Sequence, residues 1–207
     1  DTVRAGRRRR VGNNGAMTTS MSVTEAVLSR RSIRAFRPDP VSDGLITEIL
    51  TTALRSPSGG NVQPWRIYVV NGDSMTRFRE FLKGHKPGAP AYDIYPANIK
   101  EPYRSSRFKV GEDMYALLGI AREDRPARLA QFAKNLDFFG APSAIFCFLD
   151  EQMGPPQWSD CGMFLQTFML LVEEAGLGSC AQEAWCVHEA AVREFVGAPE
   201  NERIFCG

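Results

Sequence analysis

One short, nearly continuous apolar run, Ser143–Leu149, constrains the fold of this chain more than any other feature of the sequence. A run of this length favours a strand that is buried on both faces. Further strands are predicted at Arg66–Val70, which the turn residues Asn71-Gly72 close, and at Arg203–Cys206. The chain therefore has few, isolated strands and lacks the regular strand–helix alternation of a Rossmann sheet.

Helices are predicted for much of the remaining chain. Ser22-Val23-Thr24-Glu25 has the spacing of a capping box and predicts a helix that ends near Arg30–Ser32. Apolar residues at helical spacing predict further helices over residues 45–54 after a Ser42 cap, from Asp73 onwards, and over 113–118, 126–136, 163–174 and 187–196. Residues 83–110 show no period, so we expect either a lid over a binding site or a surface excursion.

The net charge of +1 hides two unlike regions. Residues 1–10 carry five arginines and one acid, so the rest of the chain is mildly acidic. Residues 1–20 show no hydrophobic periodicity and are predicted to be a basic N-terminal arm or a vector-derived tail. We expect no nucleic-acid partner, because such a function could reside only in the arginine run Arg7–Arg10.

Composition also narrows the compartment and the chemistry. No apolar run approaches the roughly 20 residues of a membrane span, and no apolar stretch follows the basic N-terminus as in a secretory signal. The five cysteines form no CxxC pair, which favours free thiols in a reducing cytoplasm. With only two histidines, a cysteine–histidine zinc site is not expected. We therefore predict a cytoplasmic protein without a membrane or metal partner.

The segment Arg30-Arg31-Ser32-Ile33-Arg34 is the first candidate binding site. Arginine binds phosphate through parallel charge-assisted hydrogen bonds, and a serine hydroxyl adds a donor. The alternative is a solvated basic helix end, where positive charge also suits the helix dipole.

Two glycine-containing loops are further candidates. In Pro57–Trp65, paired glycines let a ligand approach the backbone, and Ser58, Asn61 and Gln63 supply hydrogen-bonding groups. In Gly176–Glu183, backbone N–H groups could face a flat ligand, but a helix precedes the glycines, so the loop is not a dinucleotide fingerprint. An ordinary connection remains the alternative for both loops. Neither a nucleophile elbow nor a P-loop is present in the sequence.

Taken together and in this order, these segments resemble the FMN-dependent nitroreductase family. The matching stretches are Ser29–Phe36, Ser56–Trp65, Phe138–Pro142 and Gly176–Trp185. The resemblance covers about residues 21–207, which we interpret as a single FMN-binding domain. Two further stretches are similar to the nitrobenzoate-reductase branch, which includes mycobacterial enzymes that reduce nitroaromatic drugs; they are Glu101–Ser105 and Asp160–Gln166.

The resemblance implies an α+β fold, with a central, mostly antiparallel sheet surrounded by helices, in an intertwined homodimer. It implies FMN sites at the subunit interface and NAD(P)H as co-substrate. The implied FMN contacts are Arg30, Arg31 and Ser32 at the phosphate, Arg34 at the flavin edge, Pro57, Ser58, Gly59 and Asn61 from the other subunit, and Ala181, Gln182 and Glu183 along one flavin face. Arg34 and the Glu183 backbone N–H would tune the flavin, and no side chain is expected to act as an acid or base.

The implied activity is hydride transfer from NAD(P)H through FMN to nitroaromatic compounds, with nitroaromatic drugs and quinones as possible acceptors. Tyr92, Tyr103, Phe138 and Phe139 are the candidate substrate-binding residues, although core packing is an alternative for the two phenylalanines. The alternatives in function are a flavin-binding protein without turnover and a relative that reduces a non-nitro acceptor. Compared with the family pattern, a C-terminal strand and arm after Cys206 are expected but absent from the sequence.

Overall fold

The computed structural model of the chain describes residues 21–207, and the predicted basic arm at 1–20 lies outside that range. The helices are α1 (Val23–Ser29), α2 (Asp43–Ala53), α3 (Asp73–Lys83), α4 (Tyr103–Leu117), α5 (Arg125–Ala133), α6 (Pro155–Glu174) and α7 (Glu189–Val196). The strands are β1 (Arg66–Asn71), β2 (Ser143–Asp150) and β3 (Glu202–Cys206), and short 3-10 turns cover Gly59–Asn61, Lys134–Gly140 and Glu183–His188.

The strands form one three-stranded antiparallel sheet in the order β1-β2-β3. The central strand β2 pairs Phe146 with Tyr68 of β1, and its pairing with β3 shifts register between Cys147 and Phe148. Phe146–Leu149 are each 0% exposed, so the prediction of a strand buried on both faces is confirmed. The predicted α+β class is confirmed as well, since helices surround this small sheet.

Alternate residues of β2 supply two hydrophobic cores, because side chains of a strand point to opposite faces in turn. Phe146 and Phe148 face a cluster that includes Phe78, Phe138 and Trp185. The other cluster is formed by Ala53, Trp65, Cys147, Leu149, Cys161 and Phe164. Helices and turns therefore cover both faces of the sheet. The candidate binding residues lie in the loops that connect these elements.

The first two helices begin where the sequence predicts. The capping box of α1 is present, since the Glu25 N–H donates to the Ser22 hydroxyl at 3.2 Å and the Ser22 N–H donates to the Glu25 carboxylate at 2.8 Å. The Leu45 N–H donates to Ser42 Oγ at 3.3 Å at the start of α2. Helix α1 ends at Ser29, so the following arginines lie in an extended segment and not in a helical turn.

Two helices begin earlier than predicted. Helix α4 starts at Tyr103 instead of near Asp113, so the second part of the segment 83–110 is helical. None of its residues is buried, which explains why no apolar period marks it in the sequence. Helix α6 starts at Pro155 instead of near Met163, because proline suits the first turn of a helix and the Gln157 side chain accepts a hydrogen bond from the Gly154 N–H at 3.2 Å.

Candidate functional site

The structure brings two of the three candidate segments together. The Ile33 N–H donates to the Ser179 carbonyl at 3.0 Å, within an isolated parallel bridge between Ser32 and Ser179. A Cβ atom at Gly178 would lie 2.8 Å from Ile33 Cγ1, so a glycine is required for this close approach. The arginine segment and the glycine loop therefore form one surface, although the sequence separates them widely.

Guanidinium groups dominate that surface. Arg31 donates to the carbonyls of Leu28 at 2.7 Å and Arg30 at 2.9 Å, which holds its side chain against the end of α1. The Arg34 guanidinium lies over the Phe139 ring, 6.0 Å from its centroid. Within residues 21–207, no ion pair includes Arg30, Arg31 or Arg34. Three cations without a carboxylate partner suit an anionic ligand such as a phosphate.

The thiol of Cys180 lies next to these cations. Burial raises the pKa of the Cys180 thiol, and the nearby guanidinium groups of Arg34 and Arg30 oppose that increase. Cys180 is half-buried, and the other four cysteines are buried free thiols. Arg30 and Arg34 therefore lie close enough to Cys180, in the loop before Gln182, to influence its ionisation.

Gln182 holds this loop in place from within the protein. Its side chain is 6% exposed, donates to the carbonyl and the side-chain oxygen of Asn135 at 3.0 Å each, and accepts from Trp185 Nε1 at 3.3 Å. Its backbone exchanges two hydrogen bonds with Gly207, at 2.7 and 3.2 Å. Both backbone groups of Gln182 are thereby used, whereas no acceptor within the described part of the chain takes the N–H of Glu183.

The third candidate segment, Pro57–Trp65, lies apart from the other two. No hydrogen bond between described residues joins it to the arginine segment or to the loop before Gln182. Gly60, Asn61 and Gln63 have positive φ angles of 57°, 56° and 49°. For asparagine and glutamine this backbone is strained, and such strain concentrates at binding and catalytic sites.

Asp160 of α6 is a residue near this loop to which the sequence analysis gave no role. Its carboxylate accepts the Gly59 N–H at 3.2 and 3.4 Å, although 101 positions separate the two residues. Asp160 is only 5% exposed. No local pattern in the sequence indicates this contact, because it depends on how α6 packs against the loop.

The candidate substrate-binding phenylalanines are both buried but contact different groups. Phe138 is 3% exposed and stacks on Trp185 at 4.6 Å between ring centroids, so its ring belongs to the core. Phe139 lies beneath Arg34, and its carbonyl accepts the Phe36 N–H at 3.1 Å. Both phenylalanines have positive φ angles, of 50° and 53°, which turn the chain sharply and separate the two rings.

The two candidate tyrosines differ in their exposure and in their contacts with the rest of the chain. Tyr92 donates its hydroxyl hydrogen bond to the Phe205 carbonyl and meets Trp158 edge-on at 5.1 Å. Burial raises the pKa of Tyr92, and the Cys206 thiol adds to that increase. Tyr103 is 68% exposed at the start of α4. Tyr92 is therefore tied to β3, whereas Tyr103 is free to contact a ligand or a second chain.

A cavity of about 890 Å³ lies beside the arginine segment. Its lining is mostly apolar and includes Ile33, Ile145 and Phe168, and it also contains Arg31 and the loop residues 179–182. Arg30, Ser32 and Arg34 do not line it. The cavity therefore touches Arg31 of the arginine segment and the loop that precedes Glu183, so it lies next to the charged groups that suit a phosphate.

A metal site and a membrane-spanning helix were both sought in the described part of the chain. Among residues 21–207 no group of three or more metal-ligating side chains could hold a metal ion. No helix in the described part of the chain is long and apolar enough to cross a membrane.

Guanidinium groups that form no ion pair within residues 21–207, next to a backbone N–H that no described acceptor takes, suit a phosphorylated ligand. Comparison with known proteins specifies the family. The nitroreductase family model matches residues 27–207, and the chain belongs to the nitroreductase family. The resemblance inferred from the sequence motifs is thereby confirmed.

Similar proteins are nitroreductases and related oxidoreductases. The 4-nitrobenzoate reductase of Pseudomonas putida is 34% identical over 183 residues, which cover 87% of this chain and 81% of that protein. A Thermus thermophilus protein described as an NADH dehydrogenase is 47% identical over 86% of this chain and 80% of its own length. The crystal structure of the FMN and NADPH-dependent nitroreductase NfnB from sphigopyxis sp. strain HMH superposes with a TM-score of 0.84 at 44% identity, covering 89% of this chain and 85% of that one.

Proposed function

We propose that this protein is an FMN-dependent NAD(P)H oxidoreductase that reduces nitroaromatic compounds. The observation that carries the proposal is the surface where Ile33 bonds to Ser179. Among the described residues 21–207, it combines three guanidinium groups that have no carboxylate partner with a Glu183 N–H that no acceptor takes. The similarity to a 4-nitrobenzoate reductase and to an FMN and NADPH-dependent nitroreductase supports the choice of cofactor and acceptor.

The arginine segment would hold the phosphate end of FMN. Arg30 and Arg31 provide planar donors for two phosphate oxygens, and the Ser32 hydroxyl provides a third donor. The bridge between Ser32 and Ser179 keeps these groups at a constant distance from the loop that precedes Gln182. The phosphate would thus be bound next to the loop that meets the ring system.

The ring of FMN would lie between Arg34 and the loop Ala181–Glu183. FMN, when bound, supplies the chemistry, since it accepts a hydride from the nicotinamide and passes it to the nitro compound. Arg34 places a fixed positive charge where reduction adds negative charge to the ring. The N–H of Glu183 offers a hydrogen bond to a ring nitrogen, while Gln182 keeps the loop rigid through Asn135 and Trp185. The chain's own residues would therefore bind FMN, orient its ring and polarise it, and no side chain is assigned a proton transfer.

The loop Pro57–Asn61 fits a homodimer. It has strained backbone and polar groups but no hydrogen bond to the arginine segment of its own chain. We infer that Ser58, Gly59 and Asn61 complete the FMN site of a second copy. The protein would then act in the cytoplasm as a homodimer, with no nucleic-acid partner.

Among the candidate substrate-binding residues, Tyr103 is exposed on α4 and is open to a ligand. Phe139 is only 7% exposed, but its ring lies beneath Arg34. Phe138 and Tyr92 are tied into the core and to β3, so they would shape the pocket from behind.

The proposal is tested with the purified protein. Its visible spectrum should show bound flavin, and FMN added to cofactor-free protein should be retained after gel filtration. Oxidation of NADH and of NADPH should then accelerate when 4-nitrobenzoate is added. Protein that retains no FMN would overturn the cofactor assignment, and FMN-loaded protein that reduces no nitro compound would overturn the acceptor assignment.

A second candidate function is reduction of a non-nitro acceptor. The relative described as an NADH dehydrogenase, at 47% identity, favours this alternative. A panel with a quinone, an enone and 4-nitrobenzoate separates the two functions by their relative kcat/KM values. A flavin-binding protein without turnover would bind FMN and reduce none of the three.

A further inference from the structure

A buried carboxylate lies outside the residues assigned to FMN. Asp160, in the first half of α6, is 5% exposed and takes part in no ion pair of the described residues. Burying a carboxylate without a cation opposes folding, and an apolar residue at the same position avoids that desolvation cost. We therefore expect Asp160 to have a role other than stabilising the fold.

The hydrogen-bond partner of Asp160 indicates that role. Both carboxylate oxygens accept the N–H of Gly59, at 3.2 and 3.4 Å. This is the one hydrogen bond of the described chain that joins residues 58–61 to a distant element. All the other bonds of the loop are local, such as the Gln63 N–H to Ser58 Oγ at 2.9 Å and the Gln63 amide to Asn61 Oδ1 at 3.0 Å.

The backbone after Gly59 needs such an anchor. Ser58 is extended, and Gly60 and Asn61 then adopt left-handed backbone angles. Local hydrogen bonds close the turn but do not set its position relative to the rest of the molecule. The bond to α6 does, because α6 is a long helix that packs against both α1 and α2.

We propose that Asp160 is a positioning residue that holds the loop Pro57–Asn61 in the arrangement that contacts FMN. This inference rests on the proposed function, and it adds a residue that itself touches neither cofactor nor substrate.

The test compares substitutions of Asp160 that differ in what they leave for Gly59. Asp160→Leu has a similar size but no acceptor, Asp160→Ala removes the side chain, and Asp160→Asn keeps one oxygen at the same position. Glu174→Ala is the matched control, since it removes an exposed carboxylate from the same helix. For each variant, FMN binding to the cofactor-free protein is measured by quenching of flavin fluorescence, and the Tm of the cofactor-free protein by circular dichroism.

We expect Asp160→Leu and Asp160→Ala to raise the Kd for FMN by about 10-fold or more, equivalent to about 1.4 kcal/mol. Asp160→Asn should restore affinity to within roughly 3-fold of the wild-type value, because its amide oxygen still accepts the N–H of Gly59. The Tm of cofactor-free Asp160→Leu should equal or exceed that of the wild type. Glu174→Ala should change neither quantity.

Two results would overturn the inference. One is a wild-type Kd for FMN in Asp160→Leu. The other is a loss of Tm that is equally large in the leucine, alanine and asparagine variants, which would show a purely structural role. In both cases the wild-type protein still binds FMN, so these results are distinct from failure of the proposed function, in which the wild type itself binds none.

Discussion

Arg34 is the residue whose proposed role is most directly open to kinetic measurement. Its guanidinium is exposed, meets the Phe139 ring at 6.0 Å and has no carboxylate partner among residues 21–207. We expect Arg34→Ala to slow reduction of bound FMN by NAD(P)H by roughly 10-fold or more, because a fixed cation near the ring stabilises the charge that reduction creates. The free energy of unfolding should change by less than about 0.5 kcal/mol, as for most surface substitutions.

Single-turnover stopped-flow absorbance and urea unfolding measure the two effects of Arg34→Ala. The matched control is Arg37→Ala, in which a nearby exposed arginine, paired with Asp39 at 2.6 Å, is removed. That control should leave the reduction rate unchanged. Equal reduction rates in Arg34→Ala and the wild type would remove Arg34 from the mechanism.

Tyr68 makes stability depend on pH at the alkaline end. Burial, followed by its hydrogen bond to the Glu202 carboxylate at 2.7 Å, raises the pKa of Tyr68 to about 12. In the unfolded chain a tyrosine ionises near pH 10. The folded state therefore favours the neutral hydroxyl, and this contribution is complete below about pH 10 and is lost as the pH rises towards about 12.

We accordingly predict that Tyr68→Phe costs about 1 kcal/mol of unfolding free energy at neutral pH, and that the difference from the wild type shrinks between about pH 10 and 12. Urea unfolding at several pH values measures this difference. Because phenylalanine cannot ionise, the variant isolates Tyr68 from the other groups that titrate in this range. A difference that stays constant with pH would contradict the assignment.

At the scale of elements, the contact between Gly178 and Ile33 joins the arginine segment to the loop before Gln182. A Cβ atom at position 178 would meet Ile33 Cγ1 at 2.8 Å and the Phe36 ring at 3.5 Å. We expect Gly178→Ala to cost about 1–3 kcal/mol of stability through this overlap. It should also weaken FMN binding, because the overlap pushes apart the elements that carry Ser32 and Ser179. Urea unfolding and FMN titration measure the two effects.

Gly44 in α2 is the matched control, since a Cβ atom there has no other atom within 4 Å. Gly44→Ala should stabilise the protein by up to about 1 kcal/mol through helix propensity and leave FMN binding unchanged. If Gly178→Ala leaves stability and FMN affinity as unharmed as Gly44→Ala does, the contact between Gly178 and Ile33 does not position the arginine segment against the loop before Gln182.

The elements that the sequence predicted are those with a strong local pattern. The buried strand β2 and the capping box of α1 were both confirmed. Each depends on residues that lie close together in the sequence, a continuous apolar run for β2 and a serine–glutamate spacing for α1. The early start of α4 was missed, since a helix with no buried residue shows no apolar period. The early part of α6 was missed because prolines and polar residues interrupt its apolar pattern, and one of these polar residues, Asp160, contacts the loop at Gly59.

For the whole molecule, order along the chain was more informative than any single motif. The arginine segment and the two glycine loops each had an ordinary explanation, yet together they predicted the nitroreductase family, which the family model confirms. Contacts across the fold could not be predicted in this way. The bond between Gly59 and Asp160 spans 101 positions, and the pairing of Gln182 with Asn135 spans 47, so both depend on packing that no local pattern encodes. The roles of the individual binding residues remain predictions.

Assembly and cofactor binding should be linked in this protein. Apolar side chains are exposed on adjacent helices, among them Val23 at 75% and Leu28 at 68% on α1, and Met163 at 41% on α6, which suits a surface covered by a second copy. If the loop Pro57–Asn61 completes the partner's site, FMN binds the dimer better than the monomer. The Tm should then rise with protein concentration and with added FMN.

A charge introduced on this surface tests whether dimer assembly and FMN binding are linked or independent. We expect Met163→Glu to raise the dimer dissociation constant and the Kd for FMN together, because burying an unpaired carboxylate at an interface costs several kcal/mol. Thr51→Glu, which places the same charge at an exposed position of α2, should change neither. Sedimentation velocity and FMN titration measure the two constants. A monomeric Met163→Glu variant that binds FMN with wild-type affinity would show that each chain builds its cofactor site alone, and the loop would then need another explanation for its strained backbone.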